Sequence, residues 1–490
     1  MLLYHELISI DKSSDTAIYL QISNSIINNI RRGRLRPGLK LPGSRELSDH
    51  LSVHRKTILA AYDELLAQGW IEVIPRKGTF VVHNLPEIRP QKLTKNEITG
   101  QYPSKTIFSI DEDKLISFPI TNYDPSVNLV INDGFPDIRL APIELYLREL
   151  RSISKQSAFK KYYTYGSPKG AEYLRETLAA FLSDTRGLAI STDNVMITKG
   201  AQMGIYLAGR LLIKPGDDII VEEPGYFGAT LTFQQFGANI NRVPVDDFGI
   251  DVDAVEKLCK TKKIRFIYVI PHHHHPTTVS LIPERRLRLL ELAANYKFAI
   301  IEDDYDYDYH YTSNPIMPMA SLDQHGNVIY IGTLSKMLVP SIRVGFMVAP
   351  LNFIDAVAKL RRSIDAQGDG IMESAIAQLY RNGTITRHIK KAVNIYRERR
   401  DTFCKLLTSE IGDKVSFKIP VGGMSVWAKF NDTDLTSVSE RAAKKGLTIS
   451  NGKIYNTSNV NYNSCRLGFA SLNLKEQQKA IEILARCFKD

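Results

Sequence analysis

Cysteine is scarce: Cys259, Cys404, Cys465 and Cys487 are the four in 490 residues, and none are spaced as CxxC. That argues against both a disulfide framework and a thiolate zinc site. No run of about 18 apolar residues occurs, so no membrane-spanning helix and no membrane partner are expected. The opening stretch, Met1 to Asp11, lacks a basic segment followed by an apolar core. A secretory leader is therefore not expected, and a cytoplasmic protein is. Internal repeats are missing too. What is present is ordinary for a globular chain, with 43% hydrophobic and 24% charged residues, and this disfavours disorder as the main state. The length suggests roughly two to three domains. A formal net charge of +10 favours an anionic partner without telling DNA from RNA or a membrane surface.

Three textures follow one another. Residues 1–83 are compact, basic and helix-rich. Residues 84–127 are polar and punctuated by Pro86, Pro90, Pro103, Pro119 and Pro125, which reads as a semi-extended linker. Alternatively, its Ile107, Phe108 and Phe118 pack on a neighbouring surface. In residues 128–490 short apolar runs alternate with helical patterns. Candidate strands are Asn194 to Thr198, Asp218 to Glu222, Arg265 to Ile270, Phe298 to Ile301, Val328 to Ile331 and Arg343 to Val348. Several lack polar alternation, as expected for strands buried on both faces of a mainly parallel sheet. Intervening helices such as Pro283 to Tyr296 predict an α/β domain with right-handed crossovers.

In the first region, Ile22, Ile26, Ile27 and Ile30 form one apolar face of a helix over Gln21 to Arg32. Ser44 is the expected N-cap of a helix over Arg45 to Leu51. After Ser52-Val53 a further helix is expected over His54 to Gln68, ended by Gly69. Ile71 to Ile74 and Thr79 to Val82 then flank a basic tip, Pro75-Arg76-Lys77-Gly78, as a hairpin. A helix-turn-helix places the start of its second helix in the major groove. Here that start carries His54, Arg55, Lys56 and Thr57, groups able to reach base edges or phosphates. Arg45 opens the preceding helix, and Lys77 at the tip suits the minor groove or backbone. The plainer reading is a solvated basic surface. A charged wing beside the helix pair favours double-stranded DNA as partner.

The segments Ile18 to Ile22, Gly33 to Pro42, Ser44 to Leu47 and His54 to Ile58, with Ala61-Tyr62 through Gly69, resemble GntR-type winged helices. That resemblance implies DNA contacts by Arg45, Arg55, Lys56, Thr57 and Gly78. His54 departs from the family's usual Ser or Thr, and Gly43 from a frequent Ser.

The second chemistry-bearing set lies just past the predicted strands, where open α/β sheets bind ligands. Lys199-Gly200-Ala201-Gln202 opens an apolar helix and can present amides to a phosphate. Glu302-Asp303-Asp304-Tyr305 follows one strand, and Gly332-Thr333-Leu334-Ser335-Lys336 another, with Arg343 seven residues on. Singly these are weak signals. Together they match pyridoxal phosphate, which takes a Schiff-base lysine, a carboxylate at the pyridine nitrogen and donors for its phosphate. Lys336 is assigned as the lysine, Asp303 as the pyridine partner and Tyr305 as donor to the ring hydroxyl. Thr333, Ser335, Arg343 and the Gly200, Ala201 and Gln202 amides are assigned to the phosphate. Tyr226, in Glu223-Pro224-Gly225-Tyr226, is placed to stack on the ring, or else is simply core.

With Gly134 to Asp137, Tyr165 to Gly170 and Arg466 to Phe469, these pieces resemble fold-type I aminotransferases from about Val130 onward. The resemblance implies a large and a small subdomain, and a substrate carboxylate at Arg466. Tandem fusion to a GntR-type winged helix resembles the MocR subfamily of regulators, which implies a homodimer. His273 matches a family histidine in the loop Pro271 to Thr278, and on that ground is expected to contact substrate. His272, His274, His275 and Thr278 do not match. Four consecutive histidines suggest a metal, but neighbours on an extended segment point to opposite faces, so no metal site is expected. Three functions stay open. They are a regulator sensing the coenzyme and an amine or amino acid, an active aminotransferase with an accessory DNA-binding segment, and a coenzyme-free scaffold. The promoter, the direction of regulation and the effector are not legible.

Overall fold

A computed structural model describes residues 4–86, 104–110, 129–311, 316–457 and 460–488. The chain divides into two compact units, Met1–Ser109 and Ile110–Asp490. Most of the linker expected over 84–127, including Phe118, lies outside the described residues, whereas Ile107 and Phe108 are exposed.

The first unit holds helices α1 (Ile18–Arg31), α2 (Ser44–Leu51) and α3 (Arg55–Ala67), then strands β1 (Ile71–Ile74) and β2 (Gly78–Val81). The isoleucine stripe of α1 packs with Leu47, Ile58, Leu65 and Trp70 into one small core. β1 and β2 pair antiparallel, with Ile71 opposite Val81 and Ile74 opposite Gly78. The N-cap of α2 is Gly43 rather than Ser44. The Ser44 hydroxyl instead accepts from Arg55 Nε at 3.2 Å, and the Glu46 carboxylate reaches back to the Gly43 N–H at 3.4 Å.

The second unit is built on an eight-stranded sheet. In chain order its strands are β3 (Val195–Thr198), β4 (Asp218–Glu223), β5 (Asn239–Asp246), β6 (Gly249–Ile250), β7 (Ile264–Val269), β8 (Ala299–Asp304), β9 (Val328–Thr333) and β10 (Gly345–Val348). Their spatial order is β3-β10-β9-β8-β7-β4-β5-β6. Only β10 and the short β6 run against the others. Period-two alternation sorts the strands into two cores. Ile219, Val221, Phe266, Tyr268, Ile301 and Ile331 face one side with helix α4 (Ala201–Leu212). Ile220, Ile267, Val269 and Ile300 face the other with α5 (Pro283–Tyr296). Two buried faces explain the unbroken apolar runs. β5 escapes that signal because Asn239–Asp246 alternates polar and apolar residues toward the sheet edge.

A smaller antiparallel sheet follows, ordered β11 (Val415–Phe417), β12 (Ser425–Phe430), β13 (Ser464–Gly468). It is covered by the long α6 (Thr384–Ile411) and by α7 (Leu474–Arg486). No helix among the described residues is long and apolar enough to cross a membrane.

Candidate functional site

In the first unit the starts of α2 and α3 lie side by side, tied by the Arg55–Ser44 hydrogen bond. The Tyr62 hydroxyl donates to the Pro42 carbonyl at 2.7 Å and fixes the turn before α2. Arg45, His54, Arg55, Lys56 and Lys77 are exposed, with Thr57 and Gly78 half-buried. The positive end of α3 therefore carries two unburied cations. His54 caps that helix, its Nδ1 accepting from the Lys56 N–H at 3.2 Å, so one ring nitrogen is already engaged. Gly78 has φ +119°, and a Cβ there would sit 2.9 Å from Lys40 Cε. The wing turns tightly because this residue has no side chain.

In the second unit a cavity of about 570 Å³ opens where the large sheet meets the small one. Asp303, Tyr305, Thr333, Ser335, Lys336, Arg343, Tyr226, Ala201, Gln202 and Arg466 all line it. These residues are up to 265 positions apart in sequence, from Ala201 to Arg466. β8 continues through the acidic run to Asp304, and alternation then separates its members. Asp303 faces the cavity, where its Oδ2 accepts from Tyr268 at 2.6 Å. Glu302 faces away and accepts from the Met319 and Ala320 N–H groups at 2.8 and 2.9 Å. Asp304 does likewise with the Tyr330 hydroxyl at 2.7 Å.

The electrostatics mark two groups. Burial pushes the Asp303 carboxyl up to about 7, against the lowering pull of the Tyr268 hydroxyl. Burial pulls the Lys336 ammonium down to about 8, although nearby Asp133 opposes it. Lys336 Nζ donates to the Gly134 carbonyl at 3.0 Å. The Tyr305 hydroxyl donates to the His273 carbonyl at 2.9 Å.

The phosphate-binding candidates cluster at the start of α4. Gly200, the N-cap, has φ +77°, and a Cβ on it would lie 2.6 Å from Arg343 Nη2. Glycine is what lets that guanidinium reach the helix end. Thr333 Oγ1 accepts from the Ser335 N–H at 3.2 Å. Gln202 is held between Thr232 and Tyr226, at 3.0 and 3.2 Å. Tyr226 stands edge-on to His275 with centroids 5.3 Å apart.

These residues fit pyridoxal phosphate. Two buried atoms, Asp303 Oδ1 and Ser335 Oγ, have no hydrogen-bond partner among the described residues. An unpartnered buried carboxylate oxygen suits a cationic ring nitrogen, and an unpartnered hydroxyl suits a phosphate.

The histidine loop departs from expectation. His273 does not line the cavity: its Nδ1 turns to Asp306 Oδ1 at 2.9 Å, and its φ is +44°. His275 lines the cavity instead. Each of the four rings meets a different carboxylate. His272 meets Asp304 at 3.5 Å, His274 meets Glu222 at 3.2 Å and His275 meets Asp133 at 2.9 Å. Among the described residues no three His, Cys, Asp or Glu side chains are grouped to hold a metal ion.

Asp133, Tyr268 and Tyr455 were not legible as site residues. Asp133 meets Arg466 Nε at 3.1 Å and accepts from the Tyr455 hydroxyl at 2.8 Å. The only signal was Asp133 abutting the Gly134 to Asp137 motif.

Residues 128–484 match the family described as aminotransferase class I and II, and residues 18–81 match the bacterial regulatory proteins of the gntR family. The chain is 27% identical over 480 residues to the probable rhizopine catabolism regulatory protein MocR of Rhizobium meliloti, covering 98% of this chain and 95% of that one. It is 31% identical to aromatic-amino-acid aminotransferase 1 of Thermococcus litoralis, over 73% of this chain and 87% of the relative. Among solved structures, Pyrococcus horikoshii kynurenine aminotransferase in complex with PMP superposes with TM-score 0.71 and 30% identity, covering 78% of this chain and 97% of that one. The chain thus belongs to the aminotransferase class I and II family and is a GntR/MocR-type regulator built on a fold that binds pyridoxal phosphate.

Proposed function

We propose that this regulator holds pyridoxal phosphate on Lys336 and reports the state of that site to promoter DNA bound by residues 1–83. Residues 84–127 act as the linker and residues 128–490 as the ligand-responsive domain, in a cytoplasmic homodimer. The observation that carries the reading is the pairing, in one cavity, of a depressed-pKa lysine with the unpartnered buried oxygen of Asp303. The PMP held by the kynurenine aminotransferase, the amine form of the same coenzyme, supports a site of this kind.

When bound, the coenzyme supplies an electron-withdrawing ring that acidifies the carbon bearing a ligand's amine. Asp303 keeps the ring nitrogen protonated, Tyr305 borders the ring hydroxyl, and Tyr226 packs against the ring. Thr333, Ser335, Arg343 and the Gly200, Ala201 and Gln202 amides hold the phosphate. An amine or amino acid is the effector, and Arg466 borders the space it enters. The effector changes DNA binding only in so far as it favours one of two states of the protein. Arg45, Arg55, Lys56, Thr57, Lys77 and Gly78 contact the DNA, with His54 capping the helix that enters the groove.

Borohydride reduction followed by peptide mass spectrometry tests the reading. The phosphopyridoxyl mass is expected on Lys336, and its appearance elsewhere or nowhere sinks it. A second activity, transamination, is favoured by one observation: an amine titrating near 8 is partly neutral at pH 7 and competent as a general base. Overnight incubation with amino acids and assay of 2-oxo acids tests that activity.

A further inference from the structure

The charged groups lining the cavity are Lys336, Asp303, Arg343, Asp133 and Arg466, together with His275. The first three are engaged by the coenzyme in the reading above. What is left to meet a ligand's own substituents is Arg466, and that cation is already paired. Its Nε lies 3.1 Å from Asp133 Oδ1 and 3.2 Å from the Asp133 carbonyl. Nη1 donates to the Pro276 carbonyl and Nη2 to the Tyr305 hydroxyl, both at 3.3 Å. Asp133 in turn accepts from His275 Nε2 at 2.9 Å and from the Tyr455 hydroxyl at 2.8 Å. Both carboxylate oxygens and all three guanidinium nitrogens therefore have partners inside the protein.

The arrangement is built into the backbone. Asn132 Oδ1 accepts from the Gly134 and Phe135 N–H groups at 3.0 and 2.9 Å, closing a turn around Asp133. The Asn132 carbonyl accepts from the Gly468 N–H at 2.7 Å, which pins the turn beside β13, the strand of Arg466. Gly134, at φ +91°, allows it: a Cβ there would sit 3.1 Å from Arg466 Nη2. Burial keeps the His275 imidazole below its ordinary pKa although Asp133 opposes this, so the ring adds no lasting positive charge at neutral pH. Arg466 and Asp133 cancel, and a second carboxylate brought to Arg466 would also face the Asp133 carboxylate. Like charges close together repel, and the Arg466 side chain that both would face is 2% exposed.

We propose that Asp133 is a built-in carboxylate occupying Arg466, and that the cavity consequently selects primary amines with no carboxylate on the amine-bearing carbon over α-amino acids. Asp133 is thus a specificity-determining residue, and the proposal rests on the coenzyme reading above.

The test uses full-length, coenzyme-loaded protein and two probes differing by one carboxylate, n-butylamine and L-norvaline. Binding is read from the change in coenzyme absorption. The wild type is expected to bind n-butylamine at least about tenfold more tightly, and Asp133→Asn to shift the ratio toward L-norvaline by about tenfold or more. A wild type that binds L-norvaline as tightly as n-butylamine overturns the proposal without any variant having to fold. So does an unchanged ratio in folded Asp133→Asn. Coenzyme-free protein gives an independent arm: calorimetry with propionate is expected to show binding to Asp133→Asn and none to the wild type. Propionate binding by the wild type removes the proposal while leaving the coenzyme on Lys336 intact. Failure of the coenzyme to load on Lys336 overturns the coenzyme reading and the amine selectivity that rests on it.

Discussion

The two units carry their candidate residues in opposite ways. In the first, Arg45, His54, Arg55, Lys56 and Lys77 are exposed, and all fall within Arg45 to Lys77. In the second, Asp303, Arg466 and His275 are buried, and the site draws on residues from Asp133 to Arg466. A surface that reads phosphates needs only cations held outward on short elements. A pocket that retunes a lysine and a carboxylate must remove both from water, which takes a large sheet and a second subdomain. The difference teaches that substitutions in the first unit should act through charge, and those in the second through burial and geometry.

The largest expected effect breaks that comparison most cleanly. Lys336→Ala is expected to abolish covalent coenzyme entirely while leaving mobility-shift binding to promoter DNA measurable. Loss of both would mean that the DNA-binding unit depends on the pocket for its fold. Next, Gly200→Ala is expected to weaken coenzyme binding by about tenfold, measured by absorbance titration. The added methyl meets Arg343, and a backbone at φ +77° and ψ 172° costs about 1–3 kcal/mol for a residue with a Cβ.

A pH series sharpens the comparison. Asp303 titrates near 7 when folded, against about 3.9 in an unfolded chain. Between those values the folded coenzyme-free protein binds the extra proton at this site, so the Asp303 contribution to stability falls as pH rises from about 4 to about 7 and levels off above. Glu302 and Glu373, each also raised to about 7 chiefly by burial, act in the same direction. Buried His272, His275 and His310, held below their ordinary pKa by desolvation, act in the opposite direction, so Asp303→Asn is expected to make the slope of urea-unfolding stability against pH more positive. An unchanged slope would show that Asp303 is not buried as described.

In the first unit, Arg55→Ala or Lys56→Ala is expected to weaken DNA binding and reduce the magnitude of the salt slope by about one. Stability should move by about 0.5 kcal/mol or less. The smallest effect on DNA binding is expected of His54→Ala, which acts on stability instead by removing a helix cap worth about 1 kcal/mol. Thermal denaturation would register it, and His54→Ser should restore it.

Much of this is legible in the order of the residues. The winged-helix elements follow from local patterns: an isoleucine stripe, a capped turn and a basic hairpin tip. Lys336 and Arg343 were legible as pocket residues because they follow the end of a buried strand, where open α/β sheets bind ligands. The acidic triplet was legible as a site but not as three roles. Continuation of β8 through Asp304 sends Asp303 to the cavity and its neighbours away. His275 rather than His273 lines the pocket, and between them the loop is not a regular extended segment, since His273 has a left-handed backbone. The extended-segment argument did not anticipate that.

By itself the sequence determined which chemistry is available: a lysine, carboxylates and phosphate donors following buried strands, and cations at a helix start. Those features depend on local periodicity and spacing, which a chain carries in its residue order. Only the tertiary structure decided that Asp133 meets Arg466, since 333 positions separate them and no local rule couples them. Contacts of that kind arise when a turn from one part of the chain is pinned beside a strand from a distant part, and that docking is where charge and burial acquire their effect.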